Sequence, residues 1–193
     1  MKKIIVFVFL MSTLQSIKGQ EVPNRIKEIR EKYGKIMSEK KYFSKQVKDI
    51  TWDVLEYDED DQKFKEKTIT YYYDGSQVKM VVIYTTIYDD YNFYEQEIEC
   101  YLDDDSVLFV YLVEKQGFRS LSDISFSETE FDTTEKRIYL DKEERCVRFL
   151  VKEMKCSIET IEQFQKKTPN VEQECSDTTD VIAEILFLIK KWW

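Results

Sequence analysis

The hydrophobic period of the chain changes twice, and each change marks a boundary between kinds of structure. Ile26, Ile29, Tyr33, Ile36 and Met37 recur at spacings of three and four, which places them on one stripe of an amphipathic helix. Pro23 stands where a helix tolerates proline, in its first turn, so the pattern predicts a helix from Pro23 to Lys41. Its outer face carries Lys27 with Glu31 and Glu28 with Lys32, pairs worth about 0.2–0.5 kcal/mol each. Gly34 weakens it slightly.

From Val47 the period becomes two. Ile50, Trp52 and Val54 alternate with Asp49, Thr51 and Asp53, which predicts a strand with one wet side. A second strand from Phe64 to Tyr73 meets Asp74-Gly75, the strongest short hairpin signal in the chain, and Val78 to Tyr88 returns antiparallel. Tyr94, Ile98, Cys100 and Leu102 mark a fourth strand, closed by the turn at 103–106. Val107 to Glu114 is apolar on both faces, which places this fifth strand at the centre of the sheet. Gly117 to Thr134 reads as irregular with one short edge strand around Phe126, and Arg137–Leu140 with Cys146–Lys152 reads as a last hairpin about the acidic turn at 141–144.

Helical spacing then returns. Ile158, Ile161 and Phe164 predict a short helix before Pro169, and Ser176 or Asp177 can cap a final helix that turns Val181, Ile182, Ile185, Leu186 and Ile189 to the core. Lys190 and Lys191 suit its negative end. The expectation is a single α+β domain with an N-terminal helix, an antiparallel meander sheet of about seven strands, and C-terminal helices packed on one face. Its other face is expected to be concave and partly exposed.

The start of the chain adds a destination. Lys2 and Lys3, the apolar run from Ile4 to Met11 and the small-residue exit at Gly19 describe a secretory signal peptide over 1–19. The run is too short to span a bilayer, so no transmembrane segment is expected in the mature chain 20–193, which is expected to be periplasmic or secreted. Losing Lys2, Lys3 and Lys18 moves the net charge from −9 to −12, a balance that repels nucleic acid and anionic lipid. Only two prolines and four glycines accompany 42% apolar residues, so the composition is that of a chain that buries a core. Cys100, Cys146, Cys156 and Cys175 form an even count in an exported chain. The favoured pairing is Cys156 with Cys175, leaving Cys100 and Cys146 as a cross-strand pair, and buried free thiols are the alternative.

Candidate chemistry is thin. The chain has no histidine, which removes the usual proton shuttle, the common zinc ligand and the base of Ser-His or Cys-His pairs. Glu95, Glu97 and Glu99 share one strand face with neighbours about 7 Å apart, a spacing that suits a carboxylate acid and base across a glycosidic bond. A solvated strand face gives the same alternation. The acidic runs at 58–61 and 103–105 invite a calcium reading, but Lys63 stands where a calcium loop needs glycine, and aspartates in hairpin turns account for both. Tyr71, Tyr72, Tyr73, Tyr84, Tyr88, Tyr91, Phe93, Tyr94 and Tyr101 form a dense aromatic set that serves either a ligand-stacking row or core packing. Trp192 and Trp193 are expected to close over the domain rather than enter lipid. No catalytic, cofactor-binding or metal-ligating residue is assigned, and no cofactor is implied.

The helix segment RIKEIREKYGKI, the segment YNFYEQEIECYLDDDSVLFVYLVEK and the segment EKRIYLDKEERCVRFL resemble uncharacterised small secreted proteins of Bacteroidota. The resemblance implies a periplasmic or secreted domain and brings no activity or site. The leading functional expectation is an exported, non-catalytic binding or interaction domain with a protein or glycan partner. The alternatives are a carboxylate-only enzyme acting on a glycan or envelope polymer, and a secreted inhibitor or immunity protein that meets a basic partner with its acidic surface.

Overall fold

The structure, a computed structural model, describes residues 22–58, 61–88, 92–104, 106–118, 131–156 and 160–190. The leader at 1–19, Tyr91, the edge strand expected around Phe126, Ile158, Lys191 and the terminal tryptophans fall outside the described residues, as do Glu59 and Asp60 of the acidic run at 58–61.

The first helix, α1 (22–39), runs into a short 3-10 turn at Lys40–Tyr42. Eight antiparallel strands follow in a sheet whose order is the order of the chain. They are β1 (Ser44–Asp58), β2 (Asp61–Asp74), β3 (Gln77–Tyr88), β4 (Asn92–Asp103), β5 (Ser106–Phe118), β6 (Phe131–Leu140), β7 (Cys146–Cys156) and β8 (Val171–Gln173). Between the last two lies α2 (Ile161–Lys167), and α3 (Thr179–Lys190) ends the described chain. The α+β meander is therefore as expected, with the short β8 added at the edge. Among the described residues no helix is long and apolar enough to cross a membrane.

Each hairpin obeys a local rule. Gly75 takes the left-handed conformation between β2 and β3 at φ 60°, which glycine adopts without a Cβ clash. Asp104 adopts a similar φ of 53° between β4 and β5, as short polar side chains can. Asp141 holds the β6–β7 turn by accepting backbone N–H bonds from Glu143 and Arg145 at 3.0 and 2.9 Å. This acidic turn thus bonds its own backbone.

Two cores sandwich the sheet. On one face Ile69, Ile83, Ile98, Val110 and Ile138 pack against Ile182, Ile185 and Ile189 of α3. On the other, Ile29 and Ile36 of α1 pack on Met80, Tyr101, Leu108, Phe109, Tyr139 and Leu150. Coverage from both sides explains why β5 reads apolar on both faces. A bulge after Val107 turns Leu108 as well as Phe109 toward α1, because Val107 pairs with Leu102 while Phe109 pairs with Tyr101.

Two expectations are corrected. The segment from Gly117 to Thr134 is not irregular at its ends: β5 continues to Phe118 and β6 begins at Phe131, with Gly117 opposite Phe131. Polar residues disguised this pairing, since Thr133 and Glu135 are buried strand residues. Gly117 is required there, because a Cβ would stand 2.9 Å from the Phe93 ring and 3.0 Å from the Phe131 Cβ.

The disulfide also differs. Cys146 pairs with Cys175 at a Cα separation of 5.5 Å, while Cys100 and Cys156 are free and buried. The return of β8 along β7 sets this, since Gln173 pairs with Phe149 and carries the following Cys175 to the Cys146 end. Cys156 lies at the far end of β7.

Candidate functional site

The α1-facing side of the sheet is not fully covered. Between α1 and strands β4, β5 and β6 lies a cleft of about 600 Å³. Its roof is one side of α1, contributing Ile29, Arg30, Tyr33 and Met37 at helical spacing. Its floor is a patch of alternate strand residues: Glu99 from β4, Phe109 and Tyr111 from β5, Arg137 and Tyr139 from β6. Register places Tyr111 opposite both Glu99 and Arg137, and Phe109 opposite Tyr139.

Helix α1 is fixed to strand ends near its start and at its middle. Arg25 Nε donates to the Leu140 carbonyl at 3.2 Å, and Lys32 is ion-paired with Asp103 and with Glu28. Hydrogen bonds from Lys32 and then from Arg25 hold the Glu28 carboxyl down at about 2. Further along, Tyr33 packs edge-on against Tyr101 and Phe109, with ring centroids 4.8 and 5.2 Å apart.

The cleft is polarised. At one end both arginines lie over tyrosine rings, Arg30 at 5.9 Å from the Tyr139 centroid and Arg137 at 5.7 Å from that of Tyr111. These are cation–π distances. Arg137 also reaches Glu135 at 3.4 Å, and Glu135 in turn faces Lys152 at 3.7 Å. This pair is deeply buried, Glu135 at 2% and Lys152 at 5% exposure, and Lys152 Nζ donates to the Gln165 carbonyl of α2 at 2.7 Å. Burial pushes the Tyr111 phenol well up, helped by the adjacent Glu135 carboxylate and opposed by Arg137. Tyr111 is therefore a neutral hydrogen-bonding group at any physiological pH.

At the other end stands Glu99. It accepts a hydrogen bond from the Tyr101 hydroxyl and faces Lys40 at 3.5 Å. Burial raises the Tyr33 phenol, and the Glu99 charge raises it further.

Of the three candidate glutamates, only Glu99 lines the cleft. Glu95 pairs with Lys115 at 3.5 Å, and Glu97 is exposed on the same face. Partial desolvation, then the Glu99 charge, push the Glu97 carboxyl up, while Lys115 and Lys40 pull it down. The aromatic set divides between the faces. Tyr71 is in the α3-side core and donates to the Ile189 carbonyl at 3.3 Å, and Tyr94 bonds Glu114 at 2.8 Å. Tyr101 is buried behind the cleft, Tyr72, Tyr73 and Phe93 pack partly buried against the cores, and Tyr84 is exposed. Among the described residues no group of three or more acidic or cysteine side chains is arranged to hold a metal ion, and Asp103 is engaged with Lys32.

Arg30 and Tyr111 were not singled out by sequence, and Tyr33 and Arg137 entered only as a helix-stripe residue and a strand end. The available signal was alternation: Glu135, Arg137 and Tyr139 share one face of a strand. Compared with known protein families, curated proteins and solved structures, the chain has no match in any of the three.

Proposed function

We propose that this is an exported, non-catalytic binding domain whose ligand occupies the cleft between α1 and the sheet. One observation carries the reading: on an acidic chain, two arginines held over tyrosine rings line an open concavity of about 600 Å³, within the usual size range of ligand pockets. Aromatic and arginine side chains are the residue types that dominate binding surfaces. Export rests on the leader pattern, and the Cys146–Cys175 disulfide is compatible with an oxidising compartment.

The test is a screen of sugars, amino acids and short peptides for a rise in melting temperature, repeated on Met37→Trp. Met37 is partly exposed on the roof of the cleft, so the larger ring fills the space without entering the core. A ligand that stabilises the wild type and not the variant supports the reading. Stabilisation that survives cleft filling places the ligand elsewhere and sinks it.

A carboxylate-only enzyme is the second reading, favoured by the Glu97 carboxyl, which partial burial and the Glu99 charge push up, since a raised carboxyl is what a general acid requires. Glycan hydrolysis abolished by Glu97→Gln in a folded variant would support it. Hydrolysis unchanged by that substitution would refute the assignment.

A further inference from the structure

We infer that the cleft takes a small acidic sugar: a hydroxylated ring bearing one oxyanion, either carboxylate or phosphate. This rests on the binding reading above and assigns the chemical class of its ligand.

The arginines call for an oxyanion. A guanidinium stacked on an aromatic ring keeps its in-plane N–H donors for another partner, and their fork matches a carboxylate or phosphate. Among the described residues Arg30 pairs with no carboxylate. Its acidic neighbours on α1 are already engaged, Glu28 by Arg25 and Lys32, and Glu31 by Lys27. Arg137 meets Glu135 through one nitrogen at 3.4 Å, which leaves most of its five donors. The two arginines are neighbours across Tyr139, which lies two residues beyond Arg137 on β6 and beneath Arg30. The cleft lining thus carries two cations against the single carboxylate of Glu99, on a chain whose net charge is −9.

The rest of the lining suits a hydroxylated ring. Glu99 receives Tyr101 on Oε2 and Lys40 on Oε1, and a carboxylate offers about four acceptor sites, so it keeps capacity for a ligand hydroxyl. Between the two ends Phe109 and Met37 give an apolar wall for the C–H face of a ring. A neutral sugar leaves the guanidiniums without a counter-charge, and a polyanion meets the Glu99 carboxylate. A hydroxylated ring with a single oxyanion satisfies both ends.

The test titrates the purified chain calorimetrically with D-glucuronate, D-glucose 6-phosphate and D-glucose. At least one acidic sugar is expected to bind at millimolar concentration or better, with glucose about tenfold weaker or undetectable and Arg30→Gln reducing the acidic-sugar affinity about tenfold. Added salt weakens that binding. Preference for glucuronate assigns a carboxylate, and preference for glucose 6-phosphate assigns a phosphate. Arg137 touches buried Glu135, so the exposed Arg30 carries the test if Arg137→Gln does not fold. Glucose binding as tightly as the acids, with Arg30→Gln unchanged, overturns the acidic-sugar inference and leaves the binding cleft standing. Failure of all three sugars to bind, together with a cleft-dependent hit of another class in the stability screen, also overturns the inference alone. Failure of both experiments overturns both readings.

Discussion

Beneath α3 the sheet is lined by Ile69, Ile83, Val110 and Ile138, and the helix answers with Ile182, Ile185 and Ile189. Beneath α1 and α2 the same strands bury Glu135 with Lys152 and set Arg137, Tyr111 and Glu99 along an open cleft. The first face gains its stability from apolar area removed from water. The second carries ionised groups whose desolvation offsets much of their attraction, so a pair of well-packed apolar side chains there would be as stable or more so. The contrast teaches that the dry face holds the fold, while the polar face tolerates a thermodynamic cost and is the side with room for a ligand.

The comparison is tested most sharply at the buried pair. Lys152→Ala leaves Glu135, at 2% exposure, with only the 3.4 Å contact to Arg137 among the described residues, and the expected loss is about 3–5 kcal/mol in urea unfolding. The double variant Glu135→Leu, Lys152→Met is expected to be within about 1 kcal/mol of wild type or more stable. A single variant with no loss would show that the pair is wet, and the contrast between the faces would shrink.

The disulfide ties the α3 side together. Its residues are 29 apart in sequence, and the chain-entropy model gives about 3–4 kcal/mol for a loop of that length. Replacing both Cys146 and Cys175 by serine should lower stability by about that amount, read as a shift in denaturation midpoint. Cys100 and Cys156 are buried, and burial pushes the Cys100 thiol well up, so neither is expected to react with a thiol reagent before unfolding.

On the dry face Leu112→Ala, at a position 1% exposed, should cost about 3 kcal/mol, the usual range for a core cavity being about 2–5. The smallest effect is at the rim. Glu28 has its pKa lowered from 4.5 to about 2 by Lys32 and Arg25, so its contribution is present above pH 4.5 and fades as the pH falls toward 2. Solvent screening at this half-exposed carboxylate holds that contribution below about 1 kcal/mol. Acid titrations of wild type and Glu28→Gln should therefore diverge only above that window and converge at its foot.

The fold was largely legible in the sequence because period-two and period-3.6 patterns are imposed by water. Helix α1 shows Ile29 and Ile36 buried as its stripe requires, and Asp74-Gly75 makes the expected turn. What failed was everything decided by long-range neighbours. The pairing of Gly117 with Phe131 was hidden because β6 buries Thr133 and Glu135, residues that read as loop. The pairing of Cys146 with Cys175 depends on the three-residue β8, which has no pattern to recognise. The cleft was invisible for the same reason: Arg30 and Arg137 are separated by most of the sheet in sequence and meet only through the register of β5 and β6 under α1. Glu99 was on the list of candidates, but its neighbours Glu95 and Glu97 lie outside the cleft.

The most direct measurement of whether the cleft holds an acidic sugar is a nitrogen–proton NMR titration of the chain with D-glucuronate and D-glucose 6-phosphate, following backbone amides and arginine side-chain Nε–H signals. An acidic sugar is expected to move the Arg30 and Arg137 signals together with amides of β5 and β6 around Tyr111 and Tyr139, while the α3-facing core stays still. Perturbations confined to α3 or to the outer strand β1, or no perturbation of either arginine, would contradict it.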